Sequence, residues 1–218
     1  MKSIQIKNTD LKFHQLPKGE LSYRVDWDLK PHRNQFIKRG KSLIHLNVKQ
    51  DVWMSETLVP QSLWETVMDF NPSKFRGNNK PVDSVSYNEV NDFIEKLNGI
   101  TGHQFRLPTE TEFLYACVMS DIEGLSMDID DRAWYEKNSK NQTQEVGIKY
   151  WGALPFSDLP GNLYQFVNAD LTKVQNGFCM YKGACWATQG LWIDKDYFML
   201  IRQEKRDHTV GFRLVLNH

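Results

Sequence analysis

The sequence predicts an α+β fold, with short helices around small antiparallel sheets and much of the chain in loops. Three observations carry this. Two short helices, each opened by its own capping box, flank one short strand within residues 86–117. Apolar and polar residues alternate over short runs through the N-terminal quarter, which is the period of half-buried strands. Seven Trp and twelve Phe are many for 218 residues, and in a fold of short elements such rings supply core area that the strands alone do not.

Taken in order, Ile4, Ile6, Leu11, Phe13, Leu21, Tyr23, Val25 and Trp27 alternate with polar neighbours and predict short strands, with Pro17-Lys18-Gly19 a turn between two of them. PHRNQFIKRGK reads as a solvated basic loop. Alternation returns over residues 43–48 and leads into another strand at Asp51-Val52-Trp53-Met54. Pro60 suits a first helical turn, and Gln61–Met68 reads as a short helix. Asn71-Pro72 and Arg76-Gly77-Asn78-Asn79 are turns, and Val82, Ser84 and Val85 alternate again. Ser86 with Glu89 forms the first capping box, after which Val90, Phe93, Ile94 and Leu97 fall on one helical face and Gly99 stands as the left-handed terminator. A strand over residues 104–107 leads to Pro108 and to the second capping box, Thr109 with Glu112, on a helix carrying Phe113, Ala116 and Cys117. The acidic run DIEGLSMDIDD lacks the spacing and the Gly of an EF-hand loop and reads as solvated surface. Ala133-Trp134-Tyr135 returns to the core, residues 151–160 form a loop, and residues 162–167 a strand. No repeat, low-complexity tract or linker divides the chain, so one domain over residues 51–218 is expected, with residues 1–50 an extension of short strands packed on it.

Composition excludes several function classes. Lys and Arg together number 27 and balance 27 Asp and Glu, so no field draws nucleic acid or an anionic membrane. No apolar run approaches membrane-spanning length, and the opening MKSIQIKNTDLKFHQL lacks the apolar core of a secretory leader. Three cysteines do not make a disulfide framework, so a reduced, cytoplasmic protein is expected. The six histidines show neither H-x-x-x-H nor H-x-E spacing, and no Ser-His-Asp set or phosphate loop is visible. Glu112 is explained as a cap and Glu110 as a first-turn charge on the helix dipole, which leaves no carboxylate pair for acid–base work.

The run PVDSVSYNEVNDFIEKLN…FRLPTETEFLYA resembles the signature of the formylglycine-generating-enzyme, or sulfatase-modifying-factor, domain. LVPQSLWETVMDFNPSKF, AWYEKNSKNQTQEVGIK, GNLYQFV, KGACW and VGFRLV are similar to further blocks of that family, in order, over residues 55–216. The resemblance implies a C-type-lectin-like fold. It also implies what catalysis would require: two cysteines, with four residues between them, that follow the KGACW block and hold copper to oxidise a substrate cysteine. Thiolates suit this because soft ligands hold Cu(I). The matching positions here are Thr188 and Ile193, and Cys179 and Cys185 lie upstream with one residue too many between them. Cys185 takes the place of the block's Ser, an inward position. The family's second catalytic branch holds iron by three histidines from an additional helical domain, which the sequence lacks. The family's turn at Gly161, Asn162 and Leu163 binds calcium through carbonyls and a Glu, but that Glu is Gln165 here. The lost charge favours a turn held by Asn162 hydrogen bonds over a calcium site.

The expected function is therefore non-catalytic recognition of a protein or small ligand by the face between KGACW and GFR, with no cofactor. Trp186, Trp192, Tyr197, Arg202 and Arg206 carry residue types enriched at binding hot spots, although Trp186 also matches a core aromatic of the family. A copper-dependent oxidoreductase making formylglycine is the alternative. A third is a variable protein of a diversity-generating system, which uses this scaffold and ends in G-F-R. The tract ATQGLWIDKDYFMLIRQEKRDHT is not the Asn-rich one typical of such proteins.

Overall fold

The chain opens with β1 (Lys2–Ile6) and β2 (Thr9–Leu16), an antiparallel pair whose inward side chains Ile6, Leu11, Phe13 and Leu16 are buried. The computed structural model describes residues 1–7, 9–26, 41–121, 128–169, 176–190 and 193–217. Trp27, most of the basic run, part of the acidic run and Trp192 lie outside the described residues. The next two strands, β3 (Gly19–Asp26) and β4 (Lys41–Val48), pair only with each other and rest on the helix that follows Thr109. Gly19 is needed there, since a Cβ would stand 2.6 Å from the Tyr115 hydroxyl.

After β5 (Val52–Ser55) comes α1 (Gln61–Met68), which begins at Pro60 without a side-chain cap. Its orphan N–H groups are met from outside: Gln61 N donates to the Lys80 carbonyl at 2.9 Å and Ser62 N to that of Asn78 at 3.1 Å. The next helix, α2 (Tyr87–Thr101), carries the expected capping box at Ser86 and Glu89 and buries Val90, Phe93, Ile94 and Leu97. It runs past Gly99, however, and ends at Gly102, which takes the left-handed conformation with φ 70° and donates to the Asn98 carbonyl. Gly99 is exposed and unconstrained, so the helix passes through it, and Asn98 fixes the exit by bonding both N–H and C=O of Phe105.

The strand between the helices, β6 (Phe105–Arg106), is shorter than expected. In α3 (Glu110–Asp121) the second capping box is present: Thr109 N donates to Glu112 at 2.7 Å and Glu112 N to the Thr109 hydroxyl at 3.1 Å. Val82, Ser84 and Val85 make no strand, because Ser84 has a left-handed φ of 59°. A single turn, α4 (Ile129–Arg132), precedes the return of Ala133 and Tyr135 to the interior.

The C-terminal third forms β7 (Tyr164–Val167), β8 (Phe178–Lys182), β9 (Phe198–Arg202), β10 (Val210–Gly211) and β11 (Val215–Leu216). Strand β7 starts two residues later than expected because Asn162 has a positive φ of 61°. Two larger sheets result, in the orders β1-β2-β5-β11-β6 and β10-β7-β8-β9. The first joins both ends of the chain; the second supports the candidate site. Between them Trp64 stacks on Phe93 with ring centroids 5.1 Å apart, and Phe212 meets both rings edge-on. Among the described residues no helix is long and apolar enough to cross a membrane.

Candidate functional site

The loop after β8 is shaped by its own side chains. Gly183 turns it with φ 92°, where a Cβ would crowd the Leu159 carbonyl and the Phe113 ring. Cys185 N donates to the Thr188 hydroxyl at 2.9 Å, and Thr188 N donates back to the Cys185 carbonyl at 3.0 Å. Neighbouring segments clamp this turn from outside. Trp186 N donates to the Asn162 carbonyl at 2.8 Å, the Ser139 hydroxyl to the Trp186 carbonyl at 2.8 Å, and Glu136 N to the Thr188 carbonyl at 3.0 Å. These contacts leave little freedom for the turn, which is what a preformed site requires.

Beside it lies a cavity of about 230 Å³ lined by Glu136, Tyr164, Cys185, Ala187, Thr188, Gln189 and Tyr197. The Tyr164 and Thr188 hydroxyls are hydrogen-bonded at 3.0 Å. The Tyr164 ring lies against Tyr181 at 5.2 Å and Tyr197 at 5.8 Å, so tyrosines form one wall. Burial raises the Tyr164 and Tyr181 phenols above their usual range, so these rings stay neutral donors.

The thiols sit in environments that suppress reactivity. Burial pushes Cys117 and Cys179 up to about 12. It also raises Cys185, against hydrogen bonds from Thr188 and the Ala187 N–H that favour the thiolate. Of the three, only Cys185 lines the cavity, while Cys179 lies in a hydrophobic cluster and donates to the Ile201 carbonyl. At the positions matching the copper ligands, Thr188 offers a hydroxyl bound to Tyr164 and Ile193 a hydrocarbon, so the residues present do not fit Cu(I).

Tyr197 is half-buried in the cavity wall, and Trp186 sits next to the turn. The Trp186 ring is half-buried, meets Phe75 edge-on at 5.2 Å and donates to the His208 carbonyl at 3.3 Å. Arg202 is at the opposite end of β9 from Tyr197, over the Phe178 ring. Arg206 clamps Glu89 at the start of α2. Trp192 lies outside the described residues. Of the lining residues only Tyr197 was among those expected to bind; Glu136, Tyr164, Cys185, Ala187, Thr188 and Gln189 were not. The signal for Tyr164 was present, since it stands where the resembled family has the first Trp of its G-N-x-W-E-W block.

The turn at Gly161, Asn162 and Leu163 is occupied by protein groups. The Asn162 side chain bonds the N–H of Gln144 at 2.9 Å and its carbonyl at 3.0 Å. The Gln165 amide donates to the carbonyls of Asp158 and Leu159, both at 2.6 Å, and accepts from Arg213 Nε at 2.6 Å. Gln165 thus faces a guanidinium and bonds two backbone carbonyls with its amide N–H groups. Among the described residues no three His, Cys, Asp or Glu side chains converge as metal ligands.

The fold is shared with solved structures of low sequence identity. Treponema denticola variable protein 1 matches with a TM-score of 0.80 at 18% identity, covering 100% of this chain and 99% of that one. PvdO from Pseudomonas aeruginosa matches at 0.77 and 17%, covering 100% and 98%, and CarF at 0.67 and 15%, covering 95% and 98%. No curated protein matches the chain in sequence. These likenesses establish an α+β, C-type-lectin-like fold of the formylglycine-generating-enzyme type. The model of the sulfatase-modifying factor enzyme 1-like domain matches residues 32–218, and the chain belongs to that family.

Proposed function

We propose that the protein is a non-catalytic binding module, and that the cavity between the Cys185–Thr188 turn and the tyrosine wall is where it holds its ligand. The observation that carries this reading is the Thr188 hydroxyl, which stands where the resembled enzymes place a copper-binding cysteine and is tied to Tyr164 and the Cys185 N–H. A rigid polar pocket survives at that position, whereas the ligand chemistry for Cu(I) does not. The raised thiols argue the same way, since a neutral thiol is neither a metal ligand nor a nucleophile. One protein of this fold is named as variable.

Saturation-transfer NMR with a small-molecule fragment mixture tests the proposal, with Ala187→Trp as the control. Ala187 is exposed at the cavity, so the indole blocks the pocket without disturbing the core. Fragment signals present in the wild type and lost in the variant are expected. Signals unchanged in the variant, or none at all, defeat the proposal. In parallel, Cu(I) titrated into reduced protein with oxygen and a cysteine peptide should give no uptake of oxygen. Stoichiometric copper binding with turnover would restore the oxidoreductase.

A further inference from the structure

We infer that the pocket selects an organic cation, an ammonium or guanidinium group, an inference that rests on the binding reading above. Among the described residues Glu136 is the only charged one in the lining, and its carboxylate has no partner among them. The adjacent Lys137 is committed elsewhere, bonding Asp130 at 2.8 Å. The charge of Glu136 therefore gives the lining a negative sign, which disfavours carboxylates and phosphates.

Tyr164 and Tyr197 line the same cavity, their rings 5.8 Å apart and tilted by 34°, and an aromatic face attracts a cation within about 6 Å of its centroid. Gln189, exposed in the same lining, supplies a neutral side-chain acceptor for N–H groups. Size narrows the ligand further. A volume near 230 Å³ is below the roughly 300–1,000 Å³ of pockets for drug-sized molecules, and matches one long side chain or a small amine. The cation has two sources, a Lys or Arg side chain presented by a protein or a free small molecule, and both share the chemistry that Glu136 and the tyrosines read.

Isothermal titration with three probes separates the outcomes: Nα-acetyl-L-arginine methylamide, its uncharged citrulline counterpart, and tetramethylammonium. At least one cation should bind about tenfold more tightly than the citrulline compound, the scale of one exposed ion pair plus a cation–π contact. Glu136→Gln should reduce that preference several-fold without moving the thermal midpoint, since Glu136 is exposed. Tyr197→Ala, checked for folding by its midpoint, should weaken all three probes. Tighter binding of the arginine compound than of tetramethylammonium assigns the ligand to a protein side chain, and the reverse order to a small amine. Equal binding of arginine and citrulline, or a preference left unchanged by Glu136→Gln, overturns the inference. Should only neutral or anionic fragments enter the pocket, the cation is excluded while the binding reading stands. If fragments of every charge fail, both fall.

Discussion

Arg213, from the closing GFR, is wholly buried, and its charge is met mainly by neutral oxygens: Gln165 Oε1 and the carbonyls of Ser55 and Ser157. Burial lowers its guanidinium to about 10, with Asp158 opposing that. Asp158 is equally buried, its carboxylate has no hydrogen-bond partner within normal geometry among the described residues, and burial pushes it up to about 7 against the pull of Arg213. An acid whose folded pKa is raised takes up a proton on folding, so it makes stability fall as pH rises from its unfolded value near 4 to about 7. Asp158→Asn should therefore flatten the decline in melting temperature between pH 5 and 8, and an unchanged slope would remove Asp158 as its cause. Gln165 supplies a second prediction. Its amide already occupies the Asp158 and Leu159 carbonyls, so chelator should leave the melting temperature within about a degree, whereas Gln165→Ala should cost on the order of 2 kcal/mol by stranding buried donors and acceptors. A fall of many degrees on chelation would place a cation at this turn. The sequence showed which side chain replaced the Glu; that its amide would feed two carbonyls and a guanidinium depended on the distant Arg213 arriving beside it.

Both capped helices were legible because a capping box is written in four consecutive residues. Ser86 and Thr109 each satisfy an N–H of their own helix, so Ser86→Ala and Thr109→Ala should each cost about 1 kcal/mol, and unchanged urea midpoints would contradict that. Glu112 does more than cap. Burial pushes its carboxyl up, but paired bonds from Arg106 at 2.7 Å and the Thr109 N–H outweigh this and hold it below the usual range. A depressed carboxylate stabilises above its unfolded pKa near 4.3, and that contribution disappears as pH falls through the lower folded value. Glu112→Gln should consequently be less stable than wild type at pH 7, with the gap closing below about pH 4. A gap that persists in acid would mean that packing rather than charge is lost. Less legible was the end of α2, since Gly99 and Gly102 look alike locally and the choice is made by Asn98 bonding Phe105, in the next strand. Glu110 also acquired a role unseen in the sequence, an ion pair at 3.3 Å with the buried Lys182.

At the scale of the molecule, the alternation of residues 1–16 identified strands but not their partners. Strand β2 joins β5 in antiparallel register from Phe13 with Ser55 to Leu16 with Val52, and the Phe13 ring stacks on Phe105 at 5.6 Å. Phe13→Ala should therefore cost about 3–5 kcal/mol and lower a single cooperative transition. Two separated transitions would mean that the first strands fold as their own unit. The cavity was legible only in part: Tyr197 was singled out for its residue type and Tyr164 could be read from the family's block, while Glu136 comes from a segment whose approach to Thr188 no local pattern announces. Strand order has one more consequence. Val215 and Leu216 lie between β5 and β6, bonded to both, so an interior strand of the larger sheet is the last part of it to leave the ribosome. Until then β5 and β6 have no neighbour to hold them side by side, and the nascent chain carries exposed strand edges that invite other partners. Closure of the larger sheet is thus deferred until β11 is made, and a chain interrupted just before Val215 should go to chaperones and proteases rather than fold as a slightly shortened native one.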